Sequence, residues 1–172
     1  MEIGLSLGSN LGDRLKNLEG ARAAIARLPG AKLVASSRVY ETEPVGVRPE
    51  FAGQRFLNAV IVIVTTTVSP QDLLAAIHSI EAGQGRVRTE DRNAPRPVDI
   101  DMIYAGDCTL GSPSLTLPHP RWAERRYVVQ PLADVRPALR LPGRAETVAE
   151  VLLSLPESPK AVVYSPQWRP YE

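Results

Sequence analysis

Residues 56–67, FLNAVIVIVTTT, constrain the fold more than any other stretch. β-Branched side chains are stiff at χ1 and suit an extended chain, so a run this dense in Val, Ile and Thr reads as a strand. It is the strongest strand signal in the chain, and a sheet with helices packed over it accommodates such a strand. Asn58 is the polar exception. It is either a strand-end amide in solvent or a hydrogen-bonding group in a pocket, where a buried amide must find partners.

The rest of the chain supplies strands and helices around that element. Residues 1–7 read as a short buried strand, and Gly8 to Gly12 as a turn. Asp13 is placed to cap a helix whose apolar positions are Leu15, Leu18, Ile25 and Leu28; Pro29-Gly30 ends it. Residues 32–43 alternate as a second strand. The polar loop 44–55 is long for a compact domain, and loops of that length often act as lids. Ser69-Pro70-Gln71-Asp72 combines a cap, a first-turn proline and an early acid, which starts a second helix. Leu73, Leu74, Ile77 and Ile80 form its apolar stripe. Glu81 falls in its last turn, where it can orient an arginine or a ligand. A strand at 98–104, a turn at 105–107, an extended piece at 115–120 and helices at 121–130 and 147–155 complete the chain. The predicted class is α+β: a ferredoxin-like β-α-β-β-α-β core with an added hairpin and C-terminal helices, its sheet mainly antiparallel. The 172 residues carry no repeat or linker and are expected to form a single domain (1–172), with 156–172 a loosely attached tail.

The chemistry concentrates in residues 85–104, GRVRTEDRNAPRPVDIDMIY. Side chains two apart on a strand share a face, so Asp99 and Asp101 project together. Adjacent carboxylates repel unless positive charge lies between them. Arg86, Arg88, Arg92 and Arg96 supply such charge, and Mg²⁺ is the other candidate. Carboxylates that hold a metal, a metal that bridges phosphates, and arginine forks for the remaining oxygens would suit a polyphosphate substrate. A surface ion-pair network accounts for the same spacing. No P-loop and no G-x-G-x-x-G is present, so a nucleotide would be held another way. His119, between two prolines and beside Arg121, Arg125 and Arg126, is a better site candidate than His78, which sits on a helix surface.

Net charge is +1, which supplies no basic field for nucleic acid. An RNA-binding module would also need aromatics on its central strands, and the main strand is aliphatic. Cys108 is the single cysteine, so no internal disulfide forms. No apolar run reaches membrane-spanning length and no signal sequence is evident. A monomeric cytoplasmic protein is expected, with no nucleic-acid or membrane partner.

Several short motifs occur in one order: Gly8-Ser9-Asn10-Leu11-Gly12, Tyr40-x-Thr42-x-Pro44-x-Gly46, Phe56-Leu57-Asn58-Ala59, Gly85-Arg86-Val87-Arg88, Pro95-Arg96-Pro97-Val98-Asp99-Ile100-Asp101 and Leu117-Pro118-His119-Pro120. The set resembles the 6-hydroxymethyl-7,8-dihydropterin pyrophosphokinase family over roughly residues 1–140. The resemblance implies transfer of diphosphate from ATP to the pterin hydroxymethyl group, with release of AMP, in folate biosynthesis. It implies two Mg²⁺ ions on Asp99 and Asp101, and Arg86 and Arg96 as catalytic arginines. Glu81, Arg88, Thr116, His119 and Arg125 match ATP-contacting positions. Thr42, Val45, Phe56, Asn58 and Tyr127 match pterin-facing ones, Phe56 and Tyr127 as the aromatic sandwich. Three features depart from the family pattern. Asn93-Ala94 stands where an aromatic and a glycine are common, His78 where some members have glutamine, and 48–54 does not align. A kinase that moves only the γ-phosphate is the nearest enzymatic alternative to this reading, and a non-catalytic ferredoxin-like module the nearest other.

Overall fold

A computed structural model describes residues 1–46, 48–87, 94–165 and 168. Within it the strands are β1 (Glu2–Ser9), β2 (Ala31–Ser36), β3 (Val39–Thr42), β4 (Phe56–Thr65), β5 (Asp99–Ala105), β6 (Leu110–Gly111), β7 (Thr116–Leu117) and β8 (Ala161–Ser165). The α-helices are α1 (Arg14–Ala26), α2 (Pro70–Gly83), α3 (Arg126–Val135) and α4 (Val148–Ser154). The main sheet runs β5-β1-β4-β3-β8, with β2 also paired to β4. Among the described residues its strand pairs are all antiparallel. The central order is the expected ferredoxin-like one, with the second strand split into β2 and β3.

The aliphatic run at β4 explains the layering. Leu57, Ala59, Ile61 and Ile63 face one way and pack with Leu18, Ala21 and Ile25 of α1 and Leu73 and Ile77 of α2. Val60 and Val62 face the other way and pack with Val128, Val129 and Leu132 of α3 and Val148 and Val151 of α4. Helices therefore cover both faces, and β4 is buried on both. Each fully buried Leu, Ile or Val contributes about 1.5–3 kcal/mol relative to exposure. Caps fix the helix starts. The Asp13 side chain accepts from the Lys16 N–H, and that of Ser69 from the Asp72 N–H. Thr147 and Glu150 form a full capping box on α4.

Four sequence expectations are revised. The stretch 32–43 is two strands, because Ser37 turns inward: its N–H donates to the Val60 carbonyl (2.8 Å) and its hydroxyl accepts from the Val60 N–H (2.9 Å). The helix placed at 121–130 begins only at Arg126, after a single 3-10 turn at Trp122–Glu124. Gly8 belongs to β1 rather than to the turn. The tail is not loose over 161–165, since β8 pairs with β3. Among the described residues, no helix is long and apolar enough to cross a membrane.

Candidate active site

Strand order and register put the site together. On β1, Gly8 pairs with Asn58 of β4 on one side and with Asp99 of β5 on the other. Ser6, two residues back on the same face, pairs with Asp101. Asn58, Gly8 and Asp99 thus form one row across three strands, on the face that carries α3. Strands lie about 4.8 Å apart, so the amide and the first carboxylate stand roughly 10 Å apart. Gly8 keeps the floor between them open. A Cβ there would meet Asn58 Oδ1 at 3.3 Å, Phe56 Cδ1 at 3.9 Å and Asp99 Cβ at 4.0 Å.

The polar end of the row is neutralised by arginines from three directions. Arg86, after the positive-φ Gly85 that closes α2, donates from Nη1 to Glu81 Oε1 and to Asp99 Oδ1, both at 2.5 Å. Arg96 Nη1 lies 3.3 Å from Asp99 Oδ2, and Arg125 Nη1 lies 3.9 Å from Asp101 Oδ2. Glu81 is buried, and its Oε1 also accepts the Ile100 N–H at 2.9 Å. Its carboxylate therefore grips both Arg86 and the strand between the two aspartates. Of the two roles open to Glu81, orienting an arginine is the one the geometry displays. Asp101 keeps 47 % of its side-chain surface exposed, yet it stands in a crowded, partly dehydrated recess. That desolvation, followed by the Asp99 charge, pushes its carboxyl up to about 6.

Burial, and next the Arg125 guanidinium, hold the His119 imidazole below its ordinary value, so it is neutral at pH 7. Its Nδ1 accepts the Arg121 N–H at 3.0 Å. That places the ring proton on Nε2, 3.5 Å from Arg125 Nη1. Two donors therefore stand side by side. Tyr127 opens α3, with the Arg125 guanidinium 5.8 Å from its ring centre. Thr116 is exposed on β7.

At the other end of the row, Asn58 Nδ2 donates to Thr42 Oγ1 at 2.7 Å, and both residues are buried. Asn58 is thus a buried, hydrogen-bonded amide rather than a solvated strand end. Val45 is exposed on the following loop. In the loop after β3, a cavity of about 620 Å³ is lined by Glu43, Pro44, Gly46, Ala52, Gly53 and Arg55, and neither aspartate is among these residues. Arg88, Arg92 and Asn93 lie outside the described residues.

Asn10 had no individual role in the sequence. Its Oδ1 accepts the Arg96 N–H at 2.8 Å, and its own N–H donates to the Arg96 carbonyl at 3.3 Å. It therefore pins the Pro95-Arg96-Pro97 segment to the end of β1. The glycine-flanked motif marked the position, but only the fold brings its partner, 86 residues away, into reach. Asn10 Nδ2, Arg96 Nε and Arg125 Nε are buried donors with no hydrogen-bond partner among the described residues. Buried donors are rarely left unpaired, and two of these three belong to the arginines that face Asp99 and Asp101, so they are free to meet acceptor oxygens there.

Comparison with known proteins identifies the family of the chain. Residues 4–137 match the family described as 7,8-dihydro-6-hydroxymethylpterin-pyrophosphokinase. The chain is 39% identical over 152 residues to the 2-amino-4-hydroxy-6-hydroxymethyldihydropteridine pyrophosphokinase of Pseudomonas aeruginosa, covering 88% of this chain and 90% of the relative. It is 42% identical over 154 residues to the protein of that name from Methylorubrum extorquens, covering 90% and 93%. Among solved structures, a wild-type Plasmodium falciparum HPPK-DHPS with pteroate superimposes with a TM-score of 0.69 at 16% identity, covering 88% of this chain. The chain spans 42% of that longer protein, and the likeness is one of fold.

Proposed function

The chain belongs to the 7,8-dihydro-6-hydroxymethylpterin-pyrophosphokinase family, and from that membership we propose how its site residues divide the work. The activity is a pyrophosphokinase step of folate biosynthesis, with ATP as co-substrate. Diphosphate passes to the hydroxymethyl oxygen of the pterin and AMP leaves. The observation that supports the residue assignment is the row Asn58–Gly8–Asp99, in which a buried amide and a carboxylate share one open floor.

Asp99 and Asp101 fit two Mg²⁺ ions. Magnesium takes one or two carboxylates and completes its shell with water and substrate phosphates. A pair of aspartates without a third acidic or imidazole ligand is therefore an adequate donor set, and among the described residues no cluster of three such groups occurs. When bound, the ions supply charge neutralisation to the attacking and leaving oxygens of an in-line displacement at the β-phosphorus.

The remaining work belongs to the protein. Arg86 and Arg96 meet the Asp99 charge in the free protein, and they are the donors that turn to phosphoryl oxygens when nucleotide is present. Their contribution is electrostatic and greatest where charge develops on the leaving AMP. Arg125 and the His119 Nε2–H offer adjacent donors to the phosphate chain, with Arg88 and Thr116 as further nucleotide contacts. Glu81 holds Arg86 in place. Asn58 and Thr42 read the polar edge of the pterin, Val45 lies on the loop that covers it, and Phe56 and Tyr127 hold the flat ring between them by offset stacking.

The test is to incubate the protein with ATP, Mg²⁺ and the reduced pterin alcohol and to separate the nucleotides. Pterin-dependent AMP with a diphosphorylated pterin is expected. ADP in its place would make the protein a γ-phosphate kinase. Asp101→Ala should abolish turnover in a protein that still folds. Arg96→Ala should lower kcat by about 10²–10³, as loss of a transition-state donor does, with a smaller change in ATP affinity.

A further inference from the structure

The C-terminal segment lies beyond the residues that match the family, yet it is built against the substrate end of the sheet. β8 pairs along the whole of β3: Thr42 with Ala161, Glu41 with Val162, Tyr40 with Val163, and Val39 with Ser165 across a register shift. On its other side β3 pairs with β4 only through Tyr40, Glu41 and Thr42. A four-residue strand held along one edge frays easily, whereas one held along both edges does not. What β3 carries at its end is Thr42, the partner of Asn58, and then the loop 43–55.

Two anchors fasten this segment. The Trp168 indole N–H donates to the Ser37 carbonyl at 2.6 Å, and its ring lies 4.6 Å from the guanidinium of Arg22, a buried residue of α1. The Tyr164 ring stands 5.8 Å from the Arg14 guanidinium. Arg14 in turn pairs with Glu41 at 2.8 Å and donates to the Arg55 carbonyl at 2.9 Å. β8 thus grips the front of the loop through β3 and its far end through Arg14. A cavity of about 340 Å³ is walled by Thr42, Glu43 and Arg55 on the loop side and by Ser158, Lys160 and Val162 on the tail side.

We infer that β8 and Trp168 form a positioning strap for the pterin site: by pairing with β3 and by the Trp168 anchor, they preorganise Thr42 and the flanking loop residues Glu43 and Arg55. The strap sets pterin affinity and leaves nucleotide binding alone, because the arginines and Asp99-x-Asp101 hang on α2, β5 and α3. Preorganisation lowers the ordering cost of binding, so the loss should fall on one substrate. This inference rests on Thr42 and Asn58 being the pterin end of the site.

The experiment compares the full chain with a chain ending at Lys160 and with Trp168→Ala and Trp168→Phe. AMP formation gives kcat and both KM values. Hydrogen exchange of the β3 amides is followed without substrate. The truncated chain and Trp168→Ala should raise the pterin KM about tenfold and hold the ATP KM and kcat within twofold. Both should also exchange the β3 amides faster. Trp168→Phe keeps the ring on Arg22 and should fall between. A merely structural anchor would shift thermal stability without separating the two KM values. A pterin KM within twofold of the parent, or equal rises in both KM values, would overturn the strap. If the truncated chain fails to fold, the two full-length Trp168 variants decide. If the full chain makes no pterin-dependent AMP, the functional reading fails, and β3 exchange alone then decides the strap: unchanged exchange rejects it.

Discussion

The two aspartates of β5 share a face but not an environment. Asp99 receives Arg86 at 2.5 Å and Arg96 at 3.3 Å, while Asp101 has Arg125 at 3.9 Å. The Asp101 carboxyl is raised from 3.8 to about 6, by desolvation first and by the Asp99 charge second. A folded value above the unfolded one means that this group favours the folded state at low pH, and that the contribution is lost as pH rises from about 4 through 6. It also means that the carboxylate needed for a cation forms only above that range. In metal-free protein, carboxyl-detected NMR should find Asp101 titrating near 6, and Asp99→Asn should move it down. Mg·ATP affinity should correspondingly fall below pH 6. An Asp101 that titrates near 4 in the parent protein would contradict the crowding argument. The alternation that paired these aspartates was legible in the sequence, because strand periodicity is local. Their inequality was not, since it depends on Arg125, 24 residues away. Gly8 was misread for the same reason: a glycine beside Ser-Asn looks like a turn until β1 is seen to extend beneath Asn58 and Asp99.

At the scale of elements, β5 and the C-terminus of α2 are joined by the Glu81 side chain. One oxygen accepts from the Ile100 N–H and from Arg86. Glu81→Ala leaves a buried backbone donor unpaired, which costs about 1–3 kcal/mol; each kcal/mol lowers Tm by roughly 2–4 °C in a chain of this size. Glu81→Gln keeps an acceptor for Ile100 and should retain most of that stability. It removes the charge that fixes Arg86, so turnover should fall in both variants while Tm falls mainly in the alanine one. Calorimetry beside steady-state kinetics reads the difference. Turnover at the parent level in a folded glutamine variant would show that Arg86 needs no such hold. Elements defined by their own residues, β4 and the capped α2, were evident from sequence. Elements defined by distant partners were not. The break between β2 and β3 is set by Ser37 bonding to Val60 and by Arg38, whose side chain reaches Asp134 of α3. β8 has a modest apolar pattern of its own and becomes a strand by pairing with β3.

Across the whole molecule, the end of the sheet opposite the site is closed by a second charged cluster. Glu2, at the start of β1, accepts from Arg136 through both oxygens at 2.8–3.2 Å and from the Tyr104 hydroxyl at 2.7 Å. This ties β1 and β5 to the residue that follows α3. At about 3.3 Å per residue, Glu2 stands roughly 20 Å from Gly8 along β1. The Arg136 hydrogen bonds, working against desolvation, lower the Glu2 carboxyl below its ordinary value of 4.5. A lowered carboxyl stabilises the fold above its unfolded pKa and loses that contribution as pH falls through the folded value. Glu2→Gln should therefore destabilise the protein at pH 7, and the gap from the parent should close as pH drops below about 4. Both partners are partly exposed, with 28 % and 32 % of their side-chain surface accessible, so the effect at pH 7 should be about 1 kcal/mol, at the upper end for exposed pairs. Urea unfolding at pH 7 and pH 3 measures it. A gap that persists unchanged at pH 3 would mean that packing of the Glu2 stem, rather than its charge, holds the cluster. Because this cluster and the site share only the rigid strands between them, turnover of the folded variant should match the parent, which separates the charge that holds the sheet from the charge that works on phosphate.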